Sequence, residues 1–168
     1  MAPASVFLGL GSNVGDRDTL LDRAMARLAA RGFRLTGASS RYETEPVGGP
    51  PQDWYLNMVV RGETALSPEE LLAACLETER ELGRVRSVAN GPRTLDADIL
   101  LYGDVVRSTP ALTLPHPRLH ERLFVLVPLC ELDPEARHPL FGLTAAQLRE
   151  RCADSSRVLL REPQVGRS

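Results

Sequence analysis

The sequence contains no lysine: all 20 basic residues are arginine. That excludes a phosphate-binding loop built on lysine and any Schiff-base chemistry, and leaves phosphate recognition to arginine, whose planar fork suits bidentate contacts. Cysteine is scarce as well. Cys75, Cys130 and Cys152 are an odd number, with no C-x-x-C among them. They read as buried free thiols, which suits a reducing cytoplasm. No apolar run approaches the roughly 18 residues of a membrane span, and MAPASVFLGLG lacks the basic start of a secretory signal. Nor is there a charge excess, since the net charge is −2, so no global field favours nucleic acid or an anionic membrane.

What is present is ordinary for one globular domain: 168 residues, 43% hydrophobic and 25% charged. A single domain over 1–168 is expected, with a frayed tail from about residue 162. No internal repeat, low-complexity segment or linker interrupts it.

The most informative stretch runs from Gly91 to Asp104. Gly91-Pro92-Arg93-Thr94 forms a turn with one fixed positive charge. Leu95 to Tyr102 follows as a strand, with Leu95, Ala97, Ile99 and Leu101 alternating toward a core. Asp96 and Asp98 then share the opposite face, their backbones roughly 7 Å apart. Two carboxylates that close repel one another. A divalent cation removes the conflict, and Mg²⁺ is commonly held by one or two carboxylates plus water and phosphates. A bare D-x-D also describes a solvated strand face.

The rest of the chain supplies a setting. Ser5 to Leu10 predicts a buried strand running into a glycine-rich turn. Gly9-Leu10-Gly11 is reminiscent of the dinucleotide fingerprint, but Val14 occupies the third glycine position. Asp18 to Ala30 is an amphipathic helix, started by Asp16 or Asp18 and stopped at Gly32. Phe33 to Thr44 reads as a strand. Residues 45–53, with three prolines and two glycines, are a loop. Residues 54–62 resume as a strand in which Asn57 is the odd polar residue. Ser67-Pro68-Glu69-Glu70 is a capping box that opens a helix to about Leu82.

A loop carrying Arg84, Arg86 and Arg93 then leads into the aspartate strand. A hairpin is expected at Gly103-Asp104. A second basic cluster holds His116, Arg118 and Arg122, and its prolines precede a helix at 119–129. Thr144 caps a helix to about Arg151, and 157–160 is a last short strand. The order β-α-β-β-α-β predicts an α+β fold: a ferredoxin-like core with added strands and helices, its antiparallel sheet covered by helices. Two carboxylates and several arginines with a histidine form the parts list of a phosphoryl-transfer site.

Five segments together resemble the 6-hydroxymethyl-7,8-dihydropterin pyrophosphokinases of folate biosynthesis: Gly11-Ser12-Asn13, Tyr55-Leu56-Asn57, Gly83-Arg84-Val85-Arg86, Gly91 through Ile99, and Leu114-Pro115-His116. The resemblance implies transfer of a pyrophosphoryl group from ATP to the hydroxymethyl oxygen of the pterin, leaving AMP. It implies two Mg²⁺ ions on Asp96 and Asp98. Arg84, Arg86, Arg93, His116 and Arg122 match ATP-phosphate positions, with catalysis resting on Arg84, Arg93 and the two aspartates. Glu79, Ile99 and Thr113 match nucleotide-side positions. Tyr55 and Phe124 match the aromatic pair around the pterin, Asn57 its hydrogen-bonding partner, and Thr44 and Val47 further pocket positions. Asn90, Pro117 and Glu45 depart from the pattern, where tryptophan, tyrosine and proline are frequent. Both loops, 45–53 and 84–93, are expected to close as lids.

Small-molecule substrates are thus expected, with no nucleic-acid or membrane partner, in a cytoplasmic monomer. Two other readings use the same residues: a non-catalytic nucleotide- or RNA-binding α+β module, and a metal-dependent nuclease. Few aromatics lie near the basic loop to stack bases, and no general base is evident for a nuclease.

Overall fold

A computed structural model describes residues 3–47, 51–83 and 95–161. The strands β1 (Ala4–Ser12), β2 (Phe33–Ala38), β3 (Tyr42–Thr44), β4 (Tyr55–Thr64) and β5 (Asp96–Tyr102) alternate with helices α1 (Arg17–Ala30) and α2 (Pro68–Glu81). The sheet runs β5-β1-β4-β3, with β2 also on β4, and every pairing is antiparallel. Taking β2 and β3 as two halves of one strand, this is the expected ferredoxin-like arrangement. Beyond it come the short pair β6 (Arg107–Ser108) and β7 (Thr113–Leu114), then α3 (Leu123–Leu132), α4 (Ala145–Arg151) and β8 (Val158–Leu160), which extends the sheet beyond β3.

Both faces of the sheet are covered because both carry apolar side chains. Val6, Leu8 and Leu10 of β1 point with Leu56, Met58 and Val60 of β4 into a core closed by Leu21 and Leu28 of α1 and Leu71 and Cys75 of α2. Phe7, Val59 and Leu101 point the other way, onto Val125, Leu126 and Leu129 of α3 and Leu148 of α4. Local chemistry starts the helices as expected. The Asp16 carboxylate accepts from the Thr19 N–H at the head of α1, and Ser67 and Glu70 form a complete capping box at α2.

Four expectations are corrected. The span 33–44 is two strands, because Ser39 leaves the ladder and bonds Val59 through both its backbone and its hydroxyl. Alternation along β5 breaks after Ile99. Leu8 pairs with Ile99 while its neighbour Phe7 pairs with Leu101, so the bulge at Leu100 sends Leu101 to the α3–α4 face. Gly103 does turn the chain at φ +53°, but its N–H bonds Ser5 O and the returning β6 pairs with β7. The helix predicted at 119–129 is a 3₁₀ turn at Leu119–Glu121 followed by α3.

Candidate active site

A cleft of about 350 Å³ opens on the sheet where α3 and α4 leave it uncovered, within the size range of small-molecule sites. Its floor is set by register. Gly11 on β1 pairs with Asn57 on one side and Asp96 on the other; two residues along, Gly9 pairs with Val59 and Asp98. Two glycines thus separate an amide-bearing strand from a carboxylate-bearing one. Gly9 lies inside the strand as expected, and Gly11 lies there too and not in the turn after it, which corrects the sequence-based placement. Gly11 is required by close approach: a Cβ there would stand 2.1 Å from Asn57 Oδ1.

Asn57 is buried, and its Nδ2 donates to the Thr44 hydroxyl at 2.6 Å. Its carbonyl oxygen is left over the glycine floor. Tyr55, Val47 and Gln52 line the same end of the cleft, and Phe124, at the start of α3, lines it as well. The Arg122 guanidinium lies 5.3 Å from the Phe124 ring centroid, a cation–π distance.

At the other end stand Asp96, half-buried, and Asp98, exposed. Glu79 of α2 is buried and reaches β5, where its carboxylate accepts the N–H of Ala97 at 2.9 Å, between the two aspartates. His116 joins them because its N–H bonds Leu100 O at 3.0 Å, at the bulge. Its Nδ1 accepts the Arg118 N–H at 3.1 Å, which leaves Nε2 as the donor of the neutral ring. Burial pushes this imidazole below its ordinary pKa; Asp98 opposes the shift, and Arg122 and Arg118 add to it. Burial also lowers the Arg122 pKa, reinforced by Arg118 and opposed by Asp98, but a guanidinium remains charged at neutral pH.

Of the residues singled out from sequence, the cleft gathers Thr44, Val47, Tyr55, Asn57, Glu79, Asp96, Asp98, His116, Arg122 and Phe124. It does not gather Ile99, whose side chain is in the α1–α2 core, or Thr113, exposed on β7. Arg84, Arg86, Arg93, Asn90 and the tail from 162 lie outside the described residues, as do 48–50 of the first expected lid and the whole of the second, 84–93. Sequence reasoning missed Gly9, Gln52 and the α2 leucines Leu72 and Leu76, which also line the cleft. A glycine pair within a run of strand-formers was the available signal for the floor.

A glycine-floored cleft on an antiparallel α+β sheet, with carboxylates at one end and an aromatic, amide-lined slot at the other, is built as a small-molecule site. The chain belongs to the 7,8-dihydro-6-hydroxymethylpterin-pyrophosphokinase (HPPK) family, whose model matches residues 7–134. It is 50% identical over 127 residues to the 2-amino-4-hydroxy-6-hydroxymethyldihydropteridine pyrophosphokinase of Bacillus subtilis, covering 75% of this chain and 76% of that one. The Methylorubrum extorquens protein of the same name is 47% identical over 130 residues, 77% of this chain and 82% of its own. Among solved structures, an HPPK-DHPS crystallised with substrates superposes with a TM-score of 0.71 at 12% identity, over 90% of this chain and 43% of that one. That likeness concerns the fold alone. Pyrophosphoryl transfer in folate biosynthesis is the activity the family carries. The non-catalytic nucleotide- or RNA-binding reading finds no support. Among the described residues, no helix is long and apolar enough to cross a membrane.

Proposed function

We propose that this chain moves the terminal pyrophosphoryl group of ATP to the hydroxymethyl oxygen of 6-hydroxymethyl-7,8-dihydropterin, with Mg²⁺ held by Asp96 and Asp98. The observation that carries this reading is the row Asn57–Gly11–Asp96 across three adjacent strands. Two strand spacings, about 10 Å, separate an amide suited to a pterin edge from a carboxylate suited to a metal, with no side chain between them.

The donor set suits magnesium. Among the described residues no three His, Cys, Asp or Glu side chains are grouped as a metal cage, and Mg²⁺ usually takes one or two carboxylates and completes its shell with water and phosphates. Bound there, magnesium would neutralise triphosphate charge and acidify the acceptor hydroxyl.

The remaining work belongs to the side chains. Tyr55 and Phe124 flank the planar acceptor, and Asn57, its Nδ2 already committed to Thr44, presents Oδ1 to the ring's N–H edge. Glu79, by holding the Ala97 N–H, fixes the backbone between Asp96 and Asp98. His116 donates from Nε2, and Arg122 contributes a fixed positive charge, toward the phosphates. Arg84, Arg86 and Arg93 would add to that charge. In the transfer, the acceptor oxygen attacks the β-phosphorus. The bond from that phosphorus to the α–β bridging oxygen breaks, AMP departs with the bridging oxygen, and the hydroxyl proton is lost to solvent. Positioning and charge neutralisation supply most of the catalysis in such a step.

The deciding experiment is AMP release from ATP, measured with and without hydroxymethyldihydropterin. AMP should appear only with the pterin, stop on chelation with EDTA and return with Mg²⁺. ADP as product, or release independent of the pterin, refutes the reading.

A further inference from the structure

The segment between α4 and β8 lies beyond the stretch that matches the family model, which ends at residue 134. It nevertheless reaches both sides of the acceptor end of the cleft. Helix α3 has no capping side chain of its own. The missing acceptor comes from Asp154, whose Oδ2 takes the Leu123 N–H at 3.0 Å while its Oδ1 takes the Ser156 N–H at 2.8 Å. Leu123 sits between Arg122 and Phe124, two cleft residues. Burial raises the Asp154 pKa, but the hydrogen bonds from Ser156 and Leu123 outweigh it and leave the carboxyl below its ordinary value.

Three residues on, Arg157 holds the opposite side. Its N–H bonds Glu45 Oε1 at 2.5 Å, its carbonyl accepts the Glu45 N–H at 3.1 Å, and its Nε lies 3.6 Å from the Glu45 carboxylate. Its guanidinium lies 4.8 Å from the ring centroid of Trp54. Glu45 follows Thr44 and Trp54 precedes Tyr55, and Thr44 and Tyr55 are register partners in the cleft wall.

We propose that residues 154–157 are a positioning strap for the acceptor slot: Asp154 anchors the start of α3 with Phe124, Arg157 anchors Glu45 and Trp54 beside Thr44 and Tyr55, and the short chain between them sets how the two aromatic walls stand. The inference rests on the assignment of Tyr55, Asn57 and Phe124 to the acceptor. Neither Asp154 nor Arg157 lines the cleft. Both act through the segments they hold.

Trp54 is the only tryptophan in the chain, so its fluorescence reports on the Arg157 contact directly. The test uses the full chain, with Arg157→Ala, Asp154→Ala and the double variant, and reads steady-state kinetics, Trp54 emission and thermal melting. Each single variant should raise the acceptor KM about three- to tenfold, the scale of one cation–π contact or one helix cap. KM for ATP should stay within about twofold, and Arg157→Ala should shift Trp54 emission. Arg157→Lys, which keeps a cation over the ring, and Asp154→Asn, which keeps an acceptor oxygen, should recover most of the acceptor KM; if an alanine variant does not fold, Arg157→Gln and Asp154→Leu, which keep the bulk and remove the cation or the acceptor, carry the same expected rise. An unchanged acceptor KM in the double variant overturns the proposal, as does a parallel rise in both KM values. Asn57→Ala separates the two readings. If it leaves acceptor binding intact, the pocket assignment itself is wrong; if it weakens binding and the strap variants do not, only the strap is wrong.

Discussion

Gly11 and Asn57 face each other across β1 and β4 so closely that the side chain of one occupies the space a Cβ on the other would need, 2.1 Å from Asn57 Oδ1. Gly11→Ala must therefore move Asn57 out of its hydrogen bond to Thr44. The expected result is a folded protein, destabilised by about 1–3 kcal/mol, with at least a roughly tenfold rise in acceptor KM from one lost buried hydrogen bond. Gly9→Ala is the control, because the atoms nearest its Cβ would be those of the Leu100 side chain, at 3.4 Å and beyond, an ordinary contact that should have a small effect. Equal kinetic damage from both substitutions would show that the glycine floor does not act through Asn57.

The carboxylates at the other end should separate by role. Asp96→Asn and Asp98→Asn should reduce turnover by roughly 10²–10³ or more, the scale of losing a principal electrostatic contact in a transfer step, with little change in melting temperature. Glu79→Gln should act differently. The Ala97 N–H would lose a charged acceptor inside the protein, so stability should fall by about 1–3 kcal/mol alongside a smaller loss of rate. Thermal melts and kcat on the three variants distinguish these patterns.

Arg17 holds Glu43 through two parallel bonds of 2.7 and 2.8 Å and also donates to Trp54 O at 3.1 Å. It therefore ties α1 to both strands that carry the acceptor wall. Arg17→Ala and Glu43→Ala should each destabilise by about 1–2 kcal/mol, and the double variant should cost clearly less than their sum. Chemical denaturation of the three variants would measure the coupling. Additive losses would mean that the pair is no more than a surface contact.

Alkaline pH offers a cleaner view of the core than usual, since no lysine titrates there. Burial first, then the hydrogen bond to Glu131, pushes Tyr42 up to about 12, and burial likewise pushes the Cys75 thiol up to about 12. A raised pKa in the folded state means that the unfolded chain loses its proton first. The corresponding stability is present below the ordinary values near 9 and 10 and is lost as pH rises toward 12. Tyr42→Phe should flatten the fall in stability between pH 10 and 12, measured by denaturant titration. An unchanged slope would show that Tyr42 does not contribute to it.

Much of this protein was legible in its sequence because the decisive signals are local. Period-two alternation in β4, the Ser67–Glu70 capping box and the glycine stop at residue 83 each depend on a few neighbouring residues, and the structure contains all three. The aspartate pair was legible for the same reason: two residues apart on a strand means one face. The bulge at Leu100 was not, because it exists only in the pairing of β5 with β1, and a run of Leu100 and Leu101 carries no mark of which leucine faces which core. The chain turn at Gly103 was visible in sequence, but its failure to make a hairpin on β5 was decided by Ser5 O, 98 residues earlier in the chain.

The sequence by itself therefore determined the order of elements, the fold class and the residue types available for phosphate and metal, since these follow from backbone propensity and side-chain chemistry. Only the tertiary structure decided that Gly9 and Gly11 are a floor, that Glu79 reaches the backbone between Asp96 and Asp98, and that Asp154 and Arg157 brace the two sides of the acceptor slot. Each of those is a contact between segments separated by 18 to more than 100 residues. Strand register and chain closure place such partners together, and neither is encoded in any short window of the chain.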